Sequence, residues 1–207
     1  MATNTGDRKR RRGSLYLIAA AAISIAIVAG VMALQPAETP LDWIIRATAI
    51  LGFLAVFLTS FSSVFMRELH QLLGRPFIRV HHLVAVAGLV LVTLHPVGVA
   101  IQSSSLRVFL PDFSSVEAFL RLGGRPAWYL IGLASLAALL RTRIKQSWRA
   151  IHYLNYVAFF IATAHAVMIG TDFGSLAMRG VAALMALALV GVFVHKRLKR
   201  WRLTRRR

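Results

Sequence analysis

Apolar residues in this chain come in blocks of bilayer length, and polar residues fall between them. Leu15 to Leu34 is an uncharged run, and similar blocks cover Ile44 to Met66, Val80 to Ile101, Ala150 to Ile169 and Leu176 to Val194. A helix needs roughly 20 residues to cross a bilayer, so each of these blocks predicts a crossing. A shorter block, Ala127 to Leu140, predicts a sixth if Pro126 and the arginines after it mark its two interfaces. Arg46 and Arg179 stand near block ends, where a long basic side chain can snorkel to the interface. The first block follows a basic stretch, Arg8 to Arg12, as a signal peptide would. Its apolar run exceeds the usual signal length, and Leu34-Gln35-Pro36 is no small-x-small cleavage site, so a retained helix is expected. In the connection Gln102 to Arg125, the stretch FSSVEAFLRL sets Phe113, Val116, Phe119 and Leu120 on one helical face, a pattern suited to lying flat in the interface.

Composition strengthens this reading. The chain has 207 residues, of which 57% are hydrophobic and 15% charged, with a mean hydropathy of +0.66. A soluble domain of this size carries more charge. The expected fold is all-α, an integral membrane bundle of six transmembrane helices over 15–194. Basic cytoplasmic tails, 1–14 and 195–207, flank it. The absence of cysteine excludes disulfides, thiolate zinc sites and iron–sulfur clusters. No Gly-rich phosphate loop stands between a strand and a helix, and no internal repeat is evident.

The net charge of +18 raises nucleic acid as a partner, but its distribution argues against one. With the N-terminus in the cytoplasm and six alternating helices, the inner segments hold Arg8 to Arg12, Arg67, Arg75, Arg79, Arg141, Arg143, Lys145, Arg149 and the basic residues after His195. The outer loops keep Arg107, Arg121 and Arg125, together with the acids Glu38, Asp42, Asp112, Glu117 and Asp172. This is the positive-inside bias, and it predicts both termini inside. The lipid bilayer is therefore the expected partner, and the basic tails suit anionic headgroups.

Seven histidines remain to be explained. His70 and His195 lie in polar flanks and read as solvated or headgroup-facing residues. His81, His82 and His95 lie in the third block, and His152 and His165 in the fifth. Polar groups inside a bilayer are costly and usually mark function, although a single one can be an interhelical hydrogen bond. His81 and His95 are 14 residues apart, which is about 40° short of four full turns and a rise of roughly 21 Å. His152 and His165 are 13 apart, a rise of roughly 20 Å, with ring directions about 140° apart on an ideal helix. The third and fifth crossings run in the same direction, so His81 pairs in depth with His152, and His95 with His165. His82 is the fallback for His81, which is preferred because it shares a face with His95. Two imidazoles at each of two depths suit the axial ligands of two hemes, whose porphyrins supply the other four bonds; zinc would need more ligands at each level. Small residues nearby (Ala85, Ala87, Gly88, Ala158, Ala162, Ala164) permit a flat macrocycle, and equally permit close helix packing.

The motifs VHHLVAVAGLVLVTLH and WRAIHYLNYVAFFIATAH resemble the ferric-reductase-like transmembrane domain, the six-helix heme core of NADPH oxidases, ferric reductases and the heme-binding subunit of the periplasmic methionine sulfoxide reductase system. The resemblance covers roughly Ile44 to His195. It implies a bis-histidine heme b protein, the membrane subunit of a multi-component oxidoreductase, in a prokaryotic cell membrane. Oxidases and ferric reductases of this family usually carry a flavin and nicotinamide domain after the last helix. The sequence runs instead to LKRWRLTRRR, so the expected donor is a separate cytoplasmic flavoprotein or a quinol, with flavin or quinone entering only through that partner. Two hemes, held by His81, His95, His152 and His165, would carry electrons to an outer acceptor. Arg79 and Arg149 would pair with inner propionates and Arg125 with an outer one, although ordinary positive-inside or interfacial charge is the preferred account of all three. Two alternatives stand beside this expectation. One is a quinol-linked respiratory b-type cytochrome, whose quinol motif Pro126-Ala127-Trp128-Tyr129 matches only faintly. The other is a non-redox scaffold with histidines as packing hydrogen bonds.

Overall fold

The structure is a computed structural model. It describes the backbone of residues 3–73 and 77–204, and the side chains of 13–73, 77–196 and 198. The described chain is all-helical. Its helices are α1 (Thr3–Leu34), α2 (Pro40–Ser63), α3 (Met66–Leu73), α4 (Phe77–Ser103), α5 (Val116–Arg121), α6 (Gly124–Leu139), α7 (Arg141–Ile144), α8 (Ser147–His152), α9 (Leu154–Ile169) and α10 (Leu176–Thr204), with 3-10 turns at Leu106–Phe109 and Thr171–Phe173. Five stretches are long and apolar enough to cross a membrane: Gly13–Leu34, Pro40–Ser63, Phe77–Ser103, Ser147–Ile169 and Leu176–Lys196. By length and composition this is a multi-pass membrane protein. The helix at Ala127 to Leu140 forms as α6 but is 16 residues long, shorter than those five. The two basic flanks are not separate in backbone: α1 begins at Thr3 and α10 continues to Thr204. The side chains of Arg8 to Arg12, all of Arg75 and the side chains beyond Leu198 lie outside the described residues.

Helix α2 is the hub. Half of its apolar window is buried, against 11–17% for the other four crossings. Thr39 caps it by accepting from Asp42 N at 3.1 Å, and Pro40 opens its first turn. Its hydroxyls bond back into their own helix, Thr48 to the Ile44 carbonyl and Thr59 to the Ala55 carbonyl, so they need no outside partner in an apolar setting. Small residues then let α4 approach closely and antiparallel. Gly88 rests on Ala55, and a Cβ at Gly98 would sit 2.6 Å from Ile45 Cγ1. The second close pair is α6 with α8 and α9, also antiparallel. Helix α2 touches α9 through stacked Phe53 and Phe159, with ring centroids 5.1 Å apart, and α4 touches α6. These contacts arrange α2, α4, α6 and α9 as a ring in which α4 and α9 lie diagonally opposite and, among the described residues, do not pack closely on each other. Helices α1 and α10 lean on the outside of this ring.

One expectation is overturned. Arg46 does not snorkel: it is 8% exposed, and its Nε donates to both carboxylate oxygens of Asp172 at 3.2 Å while Nη2 reaches Oδ1 at 2.5 Å. Asp172 is equally buried, in the turn between α9 and α10. The carboxylate's fixed position makes pairing more favourable than stretching toward the interface. Arg179 behaves nearer to expectation; it is exposed, and its Nε donates to the Phe173 carbonyl at 3.0 Å. The predicted apolar face at Phe113–Leu120 also changes. Helix α5 spans six residues, Phe119 and Leu120 are half-buried, and Phe113 and Val116 point outward.

Removing Asp172 leaves buried Arg46 with only the more distant Asp42 carboxylate, 3.7 Å away, and removing Arg46 leaves Asp172 without its cation. Asp172→Asn is expected to cost about 3 kcal/mol. A lowered midpoint of thermal unfolding in detergent would register it. The double variant Arg46→Met, Asp172→Leu should lose less than either single change.

Candidate functional site

The antiparallel contacts sort the four inner histidines into two levels. At one level, the start of α2 meets the end of α4 and the start of α6 meets the end of α9. There His95 Nδ1 lies 3.1 Å from the Ile45 carbonyl, and His165 Nδ1 lies 2.7 Å from the Arg121 carbonyl. The other level holds the end of α2, the start of α4, the later turns of α6 and the α8–α9 junction. His152 Nδ1 lies there, 3.1 Å from the Ala134 carbonyl. A carbonyl can only accept, so in each contact Nδ1 carries the proton and Nε2 keeps a free lone pair. Asn155 Nδ2 donates to the His152 carbonyl at 3.2 Å and also lies 3.4 Å from His152 Nδ1.

His81 is different. Its ring is buried, and among the described residues its Nδ1 is the fully buried side-chain nitrogen or oxygen without a hydrogen-bond partner. Its neighbour His82 is exposed, on the outer side of α4. His81 and His152 line one cavity between α4 and α9, with Ser60, Ser63, Asn155 and Tyr156 also on its wall. Its volume is about 90 Å³, and one side is open. Tyr156 and Ser63 share a hydroxyl contact of 3.1 Å, so the polar wall is internally bonded. At the other level His95 and His165 stand within electrostatic reach of each other.

Local backbone features set these rings. Pro96 follows His95 inside α4, and a proline there leaves the carbonyl four residues earlier without its helical donor. The α8–α9 break falls at Tyr153, where Tyr156 N bonds back three residues to the Tyr153 carbonyl. That tight turn lies between His152 and His165, so the ideal-helix angle computed from their spacing does not hold across it. Gly124 approaches His165 so closely that a Cβ would lie 2.9 Å from Nε2. Between the two levels, Phe159 is fully buried against Phe53 and Phe57.

The remaining candidates are scattered. Arg79 and Arg149 are exposed, and Arg149 lies over the Trp148 ring, 5.4 Å from its centroid. Arg125 is half-buried beside His165 and donates from Nη1 to the Leu110 carbonyl at 2.7 Å. His70 and His195 are exposed. Of the small residues, Ala85 and Gly88 line the cavity, whereas Ala87 is exposed and leaves no interior space. The carbonyl acceptors at Ile45, Ala134 and Arg121 escape sequence reasoning because any residue supplies a carbonyl. Asn155, three residues after His152 and on the same helical face, could have been found from its spacing. Among the described residues no group of three or more histidines and carboxylates converges as a metal-ion cluster would require, and the levels hold two imidazoles each.

Comparison with family models, curated proteins and solved structures finds no match for this chain.

Gly124→Ala should displace the His165 ring without unfolding the bundle, since the crowded atoms belong to a side chain that can turn. Nitrogen NMR of histidine-labelled protein is expected to lose one hydrogen-bonded Nδ1 signal while those of His95 and His152 persist.

Proposed function

We propose that this chain is the heme-carrying membrane component of an electron-transfer system, with one b-type heme at the His81/His152 level and a second at the His95/His165 level. The observation that carries the reading is the way three imidazoles donate Nδ1–H to backbone carbonyls. This fixes the tautomer and leaves Nε2 free, as an axial ligand requires. The fourth, His81, is buried in the cavity wall, and its Nδ1 lacks the carbonyl bond that the other three rings make. The Nε2 edge of His165 lies against Gly124, whose missing side chain makes the room for that ring. The cavity is open on one side, and α4 and α9 do not pack closely on each other across it.

A heme held by two imidazoles supplies one-electron transfer and has no vacant coordination site. The residues do the rest. Phe53, Phe57 and Phe159 exclude water between the two levels. The carbonyls of Ile45, Ala134 and Arg121 hold each ring's proton away from the ligand side. Arg79 and Arg149 are the proposed cationic partners at the His81/His152 level, and Arg125 at the other. Helix α6 contacts both levels, with Gly124 beside His165 and the Ala134 carbonyl on His152, which supports counting it as a sixth crossing. Six crossings and the basic flanks put both termini in the cytoplasm. Electrons then enter at the His81/His152 level from a separate flavoprotein or a quinol, and leave from the His95/His165 level to an outer acceptor.

Pyridine hemochrome analysis is expected to return close to two hemes per chain. His95→Ala and His165→Ala should each remove the same heme, and His81→Ala and His152→Ala the other, as resolved by redox titration. His82→Ala should keep both. Protein without a Soret band would end this reading; loss of different hemes from His95→Ala and His165→Ala would end the pairing. A reporter fused after Arg207 should behave as cytoplasmic, and an exterior signal would remove α6 as a crossing.

A further inference from the structure

The connection between α4 and α6 displays large apolar side chains outward. Leu106 is 78% exposed, Leu110 63%, Phe113 75% and Val116 78%. The backbone that presents them is held from several directions. Ser105 caps the 3-10 turn and Ser115 caps α5. The Asp112 carboxylate accepts from Ser114 N at 2.9 Å. From α6, Tyr129 OH donates to the Phe109 carbonyl at 3.0 Å, and Arg125 donates to the Leu110 carbonyl. An apolar row built this firmly is not a chain that merely failed to fold inward.

We propose that this connection is seated in the headgroup layer of the bilayer, with its apolar row toward the acyl chains. The choice of lipid over a protein partner rests on continuity. Tyr129 lies on an exposed stripe of α6 with Leu133 and Leu136, which are 48% and 50% exposed and face where lipid lies around a membrane-spanning bundle. Its hydroxyl bond joins that stripe to Phe109 and so to Leu110, whose carbonyl also accepts from Arg125 one turn earlier on α6. Ile101, near the end of α4, is also 63% exposed. Tyrosine at the junction suits the membrane–water boundary. The opposite edge is polar. Glu117 and Arg121 form an exposed ion pair of 3.6 Å. The Ser114 hydroxyl and N–H hold the Asp112 carboxyl below the usual carboxylate range, so it stays charged and marks the wet side. An apolar row opposite a charged edge is the pattern of an interfacial segment. The seat also has a structural consequence: Arg121, whose carbonyl accepts from His165, is the last residue of α5, so the headgroup layer sets the height of that acceptor.

The chain has no cysteine, so single cysteines can carry a nitroxide without background. Full-length Leu110→Cys, Phe113→Cys and Val116→Cys would be labelled, with Glu117→Cys as the wet reference, in vesicles of phosphatidylcholine and phosphatidylglycerol without any other protein. Power saturation would compare collisions with oxygen, which concentrates in lipid, and with a water-soluble nickel chelate. The oxygen-to-nickel ratio is expected to be several-fold higher at 110, 113 and 116 than at 117. Nickel-dominated ratios at all four positions would overturn the proposal and leave the row free in water for a protein partner.

Discussion

A backbone carbonyl accepting an imidazole N–H is the interaction on which this bundle's interior depends. In hydrocarbon a polar group without an internal partner has no water to turn to. Three of the inner histidines meet that demand across a helix boundary, His95 on α2, His152 on α6 and His165 at the end of α5. Each bond therefore fixes one ring and joins two segments. The helices that bear the rings are held by their antiparallel neighbours, while their own mutual face stays open. A packed α4–α9 pair would close the cavity that His81 and His152 line.

The buried ion pair plays the complementary part at one end. Arg46 follows Ile45, the acceptor for His95, and Asp172 lies seven residues after His165. The pair thus fastens the first turns of α2 to the exit of α9, close to both rings of that level. Its charges are matched by a three-bond fork, the geometry in which burial of guanidinium and carboxylate is best compensated. At the other end Lys196 of α10 donates to the Val64 carbonyl, where α2 stops, and lies near the Phe65 ring. Peripheral α10 thus anchors the far end of the hub.

Much of this was legible in the sequence, for physical reasons that differ by residue. Hydropathy blocks locate helices well because no loop can lie in hydrocarbon, and the long crossings fall where the blocks stand. Histidine spacing placed His81 with His152 and His95 with His165 because depth along parallel helices is a matter of rise alone. His81 is the buried ring and His82 the exposed one, as the shared face of His81 and His95 on α4 predicts. The same reasoning failed in α8–α9, where neither glycine nor proline announces the break at Tyr153. Arg46 was misread because its partner is 126 residues away and looks, in sequence, like one more loop acid. Phe119 and Leu120 share a predicted interfacial face with Phe113 and Val116 yet are half-buried in the protein, because periodicity shows which residues share a side and not what covers that side.

The close seam of α2 with α4 and the separate seam of α6 with α9 also imply an order of biogenesis. Chains emerge N-terminus first, and membrane helices associate after insertion. The α2–α4 pair can therefore assemble before α6 has been synthesised, with His81 and His95 already displayed. The opposing imidazoles arrive only with the second pair. Any prosthetic group bridging the two pairs must join late, at or after the pairing of halves, and would act as the latch that completes maturation.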